Sequence, residues 1–145
     1  MLVVMERSDT TPDAFIAGLP GDTREDIATL DRVISDAMTG VERVLWEGVM
    51  WGGTHQRIIG YGAMRYVNRS GTSVDWFVVG LAAQKRHLSL YVNAVDGDTY
   101  LLHAYADRLG KVKLGSANAT FRRASDIDLD VLRAMAERAR GVATS

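Results

Sequence analysis

The sequence predicts an α+β domain in which an antiparallel β-sheet packs against N- and C-terminal helices. Three observations predict it. Apolar residues recur at helical spacing near both ends, as Ile27, Leu30, Ile34 and Met38 and again as Leu129, Leu132, Met135, Ala136 and Ala139. The middle holds runs rich in β-branched and aromatic residues, among them Val74 to Leu81 and the alternating His87 to Val92. Short connections join these runs, which suits an antiparallel meander and not the long crossovers that parallel strands need.

Taken in order, residues 1–11 read as a flexible leader, because the apolar start at Met1 to Met5 is broken at once by Glu6 and Arg7. Pro12 is comfortable in a first helical turn, and Gly18 and Pro20 stop the short helix it opens. Asp22 with Glu25 three residues later resembles a capping box, so a helix is expected over residues 22–39, closed by Gly40. Val41 to Trp46, Gln56 to Tyr61 and Ala63 to Val67 read as strands, and Asn68 to Ser73 as a polar turn. Asp96 to Asp98 is expected to turn into a helix with Leu101, Leu102, Tyr105 and Leu109 on one face, ended by Gly110. A short strand is expected near residues 117–123. Ser125 to Asp128 then caps a last helix that Gly141 closes. The organisation is a leader (1–11), a single domain (12–141) and a tail (142–145), without internal repeats.

Composition excludes several function classes. The 145 residues contain no Cys, so disulfides, thiolate metal sites and a cysteine nucleophile are ruled out. Lys and Arg total 17 against 18 for Asp and Glu, and a near-neutral chain lacks the electrostatic footprint of a nonspecific nucleic-acid binder. No apolar run is long enough to cross a bilayer, and the N-terminus has no basic segment of the signal-peptide kind. The expectation is a cytoplasmic protein with neither a membrane nor a nucleic-acid partner, as a monomer or homodimer. His55, His87 and His103 fall in no metal-ligand spacing. Ser89 and Ser116 lack a nucleophile-elbow context, and Gly60 with Gly62 is too short for a dinucleotide fingerprint. No metal or cofactor is therefore expected, and no catalytic residue is assigned.

Several blocks together carry a family resemblance. They are Ile58-Ile59-Gly60-Tyr61-Gly62 with Tyr66, Ser70-Gly71 through Asp75-Trp76-Phe77-Val78-Val79-Gly80-Leu81, and Lys85 to Tyr91. Leu109 to Gly115 and Asp126 to Leu129 complete the set. In order and spacing they resemble the YdhG-like family, domain of unknown function 1801, from about residue 12 to the end of the last helix. The resemblance implies an antiparallel sheet with helices packed on it, a frataxin-like sandwich, and one branch of the family is described as frataxin-like iron chaperones. It supplies no catalytic residues. The chain departs from the family pattern at Ala83-Gln84-Lys85, where Pro-Arg-Lys is common, and at Asn118, about where a Cys is frequent. The tract from Trp46 to Gly53 is wider than the family's compact Trp-Gly segment.

Three constellations are candidates for function. Trp46, Trp51 and Trp76 fall with Tyr61, Tyr66 and Tyr91 in the β-rich middle, and they either line a pocket or fill the core. Glycines around Trp51 suggest a mobile loop over such a pocket. Lys85-Arg86-His87 and Lys111 with Lys113 are basic spots suited to a phosphate or carboxylate, or else solvated cations at strand and helix ends. Lys85 and Lys111 lie in the family-matching blocks. Asp22, Glu25 and Asp26 with Glu42 or Glu47 could form an acidic ridge for iron, or simply cap a helix. The leading expectation is a non-catalytic binding module with an aromatic-lined pocket for a small, anionic ligand. Its site residues would be Trp46, Glu47, Trp51, Tyr61, Tyr66, Trp76, Lys85 and Lys111. The alternatives are a frataxin-like iron-binding chaperone and a small enzyme using Glu47, His55 or Asp75 as acid–base groups.

Overall fold

A computed structural model of the chain describes residues 4–49, 55–67 and 70–144. In chain order the elements are β1 (Val4–Arg7), α1 (Pro12–Ala17), α2 (Gly21–Ala37), β2 (Arg43–Val49), β3 (His55–Val67), β4 (Ser73–Ala83) and β5 (Leu88–Val92). There follow β6 (Val95–Asp96), β7 (Thr99–Tyr100), α3 (Leu101–Leu109), β8 (Lys113–Leu114), β9 (Asn118–Phe121) and α4 (Leu129–Thr144). Seven strands form one sheet in the order β1-β2-β3-β4-β5-β9-β8, with every neighbouring pair antiparallel. The α+β class, with an antiparallel sheet packed against N- and C-terminal helices, is what the hydrophobic periods predict.

Local chemistry sets the helix ends. The Thr11 side chain accepts the Ala14 N–H at 3.1 Å and Pro12 opens α1. Asp128 Oδ1 accepts from the N–H groups of Asp130 and Val131 at 3.0 and 3.2 Å, which caps α4. No side chain caps α2, whose N-cap is Pro20, so the expected capping box of Asp22 and Glu25 does not form. The helix stops at Ala37, and Gly40 takes φ +92° to redirect the chain toward β2.

The main core lies between one face of the sheet and the helices. Ile27, Leu30 and Ile34 of α2, Leu101, Leu102 and Leu109 of α3, and Leu132, Met135 and Ala139 of α4 are buried together. They meet Leu45, Ile59, Tyr61, Val79, Leu81, Leu90 and Phe121 of the sheet. Each fully buried aliphatic side chain there contributes roughly 1.5–3 kcal/mol of transfer free energy.

Among the described residues, no helix contributes to the buried cluster on the opposite face of the sheet. Register traces a row across that face: Arg7 lies opposite Trp46, Trp46 opposite Ile58, Ala82 opposite Ser89, Ser89 opposite Thr120, and Thr120 opposite Lys113. Directly paired residues project to the same face, so aromatic residues on β2–β4 and cations on β8 share one surface. The alternation of β4 shifts near its middle. Phe77 lies on this open face, whereas Val78 and Val79 both enter the helix-side core. The facing residue Gly62 has φ +80°, a conformation that suits glycine.

Two boundaries differ from the sequence reading. Residues 4–7 are an edge strand and not part of a flexible leader, because their backbone pairs with β2 and Met5 packs against the Trp46 cluster. The helix α4 runs through Gly141 to Thr144, so residues 142–144 continue it and do not form a separate tail. A Cβ at Gly141 would meet nothing within 4 Å, so this glycine serves no packing need. In addition, residues 95–100 form a small β6–β7 ribbon ahead of α3. Among the described residues no helix is long and apolar enough to cross a membrane.

Candidate functional site

The expected aromatic residues separate onto the two faces of the sheet. Trp46, Trp76 and Phe77 cluster on the open face, with ring centroids 5.5 Å apart for Trp46–Trp76 and 4.3 Å for Trp76–Phe77. Tyr91 meets Phe77 edge-on at 6.1 Å, and the Arg7 guanidinium covers Trp46 at 5.0 Å from its ring centroid. Trp46 is only 3% exposed, so these rings pack on one another as a second small core. Beside them lies a polar chain that the sequence did not reveal. Gln84 Nε2 donates to Gln56 Oε1 at 3.1 Å and to the Tyr91 hydroxyl at 3.3 Å, and the buried Ser89 hydroxyl donates to Gln84 Oε1. Trp51 lies outside the described residues. Tyr66 is placed on β3 opposite Val74.

Tyr61 is on the other face, among the helices. Its hydroxyl donates to Asp31 Oδ1 at 2.6 Å, and the Arg43 guanidinium grips both oxygens of Asp31 at 3.0 and 2.8 Å. Arg43 also reaches Asp13 at 2.9 Å, so α1, α2, β2 and β3 are tied through one arginine. Burial raises the Tyr61 pKa well above its ordinary value, and the Asp31 charge and hydrogen bond push it further up. Burial works against the charge on Arg43, but the hydrogen bonds and charge of Asp31, with help from Asp13, outweigh it and hold the group protonated. Every member of this cluster has its partner, which marks a structural joint between helices and sheet.

The basic spots converge in part. A groove of about 790 Å³ at the β8 end of the sheet is lined by His87, Lys111, Lys113 and Arg122, with Asn118 and Thr120 between them and Leu114 and Phe121 as apolar wall. None of these four side chains has an ion-pair partner among the described residues. Asp126 also lines the groove, but its Oδ2 accepts the backbone N–H groups of Arg122 and Arg123 at 3.1 and 3.2 Å. The charge balance at this spot is therefore positive although the chain as a whole is near neutral. Lys111 is in the groove, whereas Lys85 sits in the β4–β5 turn and is not among the lining residues. Arg122 was not evident beforehand. The signal was present in its spacing from Thr120, which the strand register sets beside Lys113; Arg122 follows two residues later, just past the end of β9.

The remaining candidates are engaged elsewhere. Glu47 accepts from Ser8 Oγ at 2.9 Å and lies 3.6 Å from Arg57, and Asp75 pairs with Arg65 at 2.9 Å. His103 meets the Ser116 carbonyl oxygen at 2.9 Å, and no hydrogen bond between a histidine and a carboxylate occurs among the described residues. Asp26, nearly buried, binds the Arg123 guanidinium at 2.6 Å, with Asp22 at 4.0 Å. The hydrogen bond and charge of Asp26 raise the Arg123 pKa. Glu42 is taken by Arg7 at 2.6 Å. No group of three or more His, Asp or Glu side chains that could hold a metal occurs among the described residues.

No family model matches the chain, and no curated protein and no solved structure does either.

Proposed function

We propose that the chain is a non-catalytic binding module that takes a small anionic ligand in the groove at the β8 end of the sheet, with Lys111 as an anchor. One observation carries this reading. His87, Lys111, Lys113 and Arg122 line a single concave surface, and the only carboxylate beside them is already committed to backbone N–H groups. Lys111, Lys113 and Arg122 outnumber the single lining carboxylate of Asp126, so the groove keeps a positive excess that a bound anion offsets. At an effective dielectric near 20 a contact at 4 Å is worth about 4 kcal/mol before desolvation and ordering costs. An Arg gives a planar fork for carboxylate or phosphate, while the lysines act as point charges. Leu114 and Phe121 offer apolar contact to the body of the ligand. The blocks quoted from the sequence support a YdhG-like scaffold for this module.

Titration of isotopically labelled protein with inorganic pyrophosphate and with citrate, followed by amide chemical shifts, tests the reading. Shifts are expected at residues 111–115 and 118–122, with affinity falling when Lys111→Ala or Arg122→Ala is introduced. Absence of shifts there, or affinity indifferent to both substitutions, rejects the site.

A further inference from the structure

The anion groove adjoins an open strand edge. Among the described residues β8 is the last strand of the sheet and has β9 as its one partner, with Lys113 opposite Thr120 and Leu114 opposite Ala119. The Gly115 N–H donates to the Asn118 carbonyl at 2.8 Å. In an antiparallel ladder, hydrogen-bonded and non-bonded pairs alternate. With Gly115 and Asn118 a bonded pair, Lys113 and Thr120 form the next one, and the N–H and C=O of Leu114 point away from β9. The Leu114 side chain is 42% exposed.

We infer that the anion recognised here is the acidic side chain of an extended peptide, which adds as a strand to the free edge of β8. This inference rests on the anion-binding reading of the groove. The edge residue Leu114 presents one donor and one acceptor, so a peptide can form a backbone pair with it. Peptide residues on either side of that pair face the same side of the sheet as Lys113, and alternate positions along the peptide keep that side. The peptide residue opposite Lys113 is acidic, and so is the one two positions further on, which reaches Lys111. The residue opposite Leu114, on the other side of the first, is apolar and packs on its exposed side chain. The recognised pattern is apolar–acidic–any–acidic.

Charge selects the occupant. Lysines on an edge strand oppose pairing with another such edge, so two copies of β8 joined about a two-fold axis would set Lys111 and Lys113 against their counterparts. The same lysines attract an acidic strand. Arg122, just past the end of β9, lies inward of the edge and extends the positive surface to which further acidic groups attach, with His87, just before β5, as a further polar contact.

The test uses a fluorescein-labelled seven-residue peptide of alternating glutamate and valine, the same peptide N-methylated at the backbone nitrogens that would face β8, a lysine–valine version, and inorganic pyrophosphate. The glutamate–valine peptide is expected to bind and to slow hydrogen exchange of the Leu114 amide. N-methylation is expected to weaken it about tenfold, the effect of roughly one lost hydrogen bond. Leu114→Pro, which removes an outward N–H at an edge position, should weaken the glutamate–valine peptide several-fold more than it weakens pyrophosphate. Equal binding of the methylated or lysine peptide, or an unprotected Leu114 amide, overturns strand addition. If pyrophosphate then still binds, the anion groove stands by itself. If neither peptide nor pyrophosphate binds, both readings fall.

Discussion

Gly60 and Gly80 face each other across β3 and β4, and the rings of Trp46 and Phe77 occupy the space that side chains at these positions would take. A Cβ at Gly60 would lie 2.7 Å from two atoms of the Trp46 indole, and one at Gly80 would lie 2.9 Å from Ile58 Cγ2 and closer still to the Phe77 ring. The glycine pair thus makes the notch in which the open-face aromatic cluster sits. Phe77 and Ile58 are both fully buried, so neither can swing aside into solvent.

Gly80→Ala should therefore destabilise the domain by about 1–3 kcal/mol, the usual cost of overpacking. Urea unfolding measures it, and tryptophan fluorescence reports the disturbed cluster. The cost should shrink in a Phe77→Leu background, where the ring that the new methyl meets is smaller. Equal costs in both backgrounds would show that the clash lies elsewhere.

The Tyr61–Asp31–Arg43 joint gives a graded pair of outcomes. Tyr61→Phe removes one hydrogen bond to a charged acceptor and should cost about 1.5–3 kcal/mol. Asp31→Ala strips the buried Tyr61 hydroxyl of its acceptor and leaves a three-quarters buried Arg43 with only the exposed Asp13, so it should cost more, about 3–5 kcal/mol. The ranking is the test. A smaller loss for Asp31→Ala than for Tyr61→Phe in denaturant unfolding would mean that Arg43 is satisfied without Asp31.

The same joint makes stability depend on alkaline pH. The Tyr61 phenol has its folded pKa well above the unfolded value of about 10. The folded state therefore holds a proton that the unfolded chain releases. Its contribution is fully present below pH of about 10 and is lost as pH rises toward the folded pKa. Absorbance titration of tyrosinate should show Tyr61 ionising only with unfolding, and Tyr61→Phe should flatten the loss of stability above that pH. A hydroxyl that ionises reversibly in the folded protein near its ordinary value would contradict the buried hydrogen bond.

Much of this architecture is legible in the sequence, and what is not has a physical reason. The stripe Ile27, Leu30 and Ile34 and the stripe Leu132, Met135 and Ala139 are local patterns with a period of 3.6, and they mark the core side of α2 and α4. The strands from Gln56 to Val92 are marked by β-branched and aromatic residues in the same local way. Met5 and Val4 carry no such local signal, because a short strand at a sheet edge takes its stability from a partner forty residues later. The site suffers most from this. Trp46 and Tyr61 look alike as strand aromatics, yet β2–β3 pairing sends one to each face. Lys85 and Lys111 look alike as basic spots, yet only the antiparallel return through β9 decides which one joins Arg122 and His87. Side-chain convergence over such separations depends on register, which periodicity does not encode.

That distinction between the two lysines is itself measurable. Lys111→Ala and Arg122→Ala should each weaken binding of a carboxylate or phosphate probe about three- to tenfold, while Lys85→Ala should leave it within about twofold. Lys85, Lys111 and Arg122 are all exposed, so these substitutions are expected to leave unfolding midpoints close to the parent protein. Raising the salt concentration should weaken the parent more than the Lys111→Ala protein, because fewer screened contacts remain in the variant. Calorimetric titration at two salt concentrations reads both effects together. A loss for Lys85→Ala equal to that for Lys111→Ala would shift the site toward the β4–β5 turn, and salt-independent affinity would point instead to the apolar wall of Leu114 and Phe121 as the source of binding.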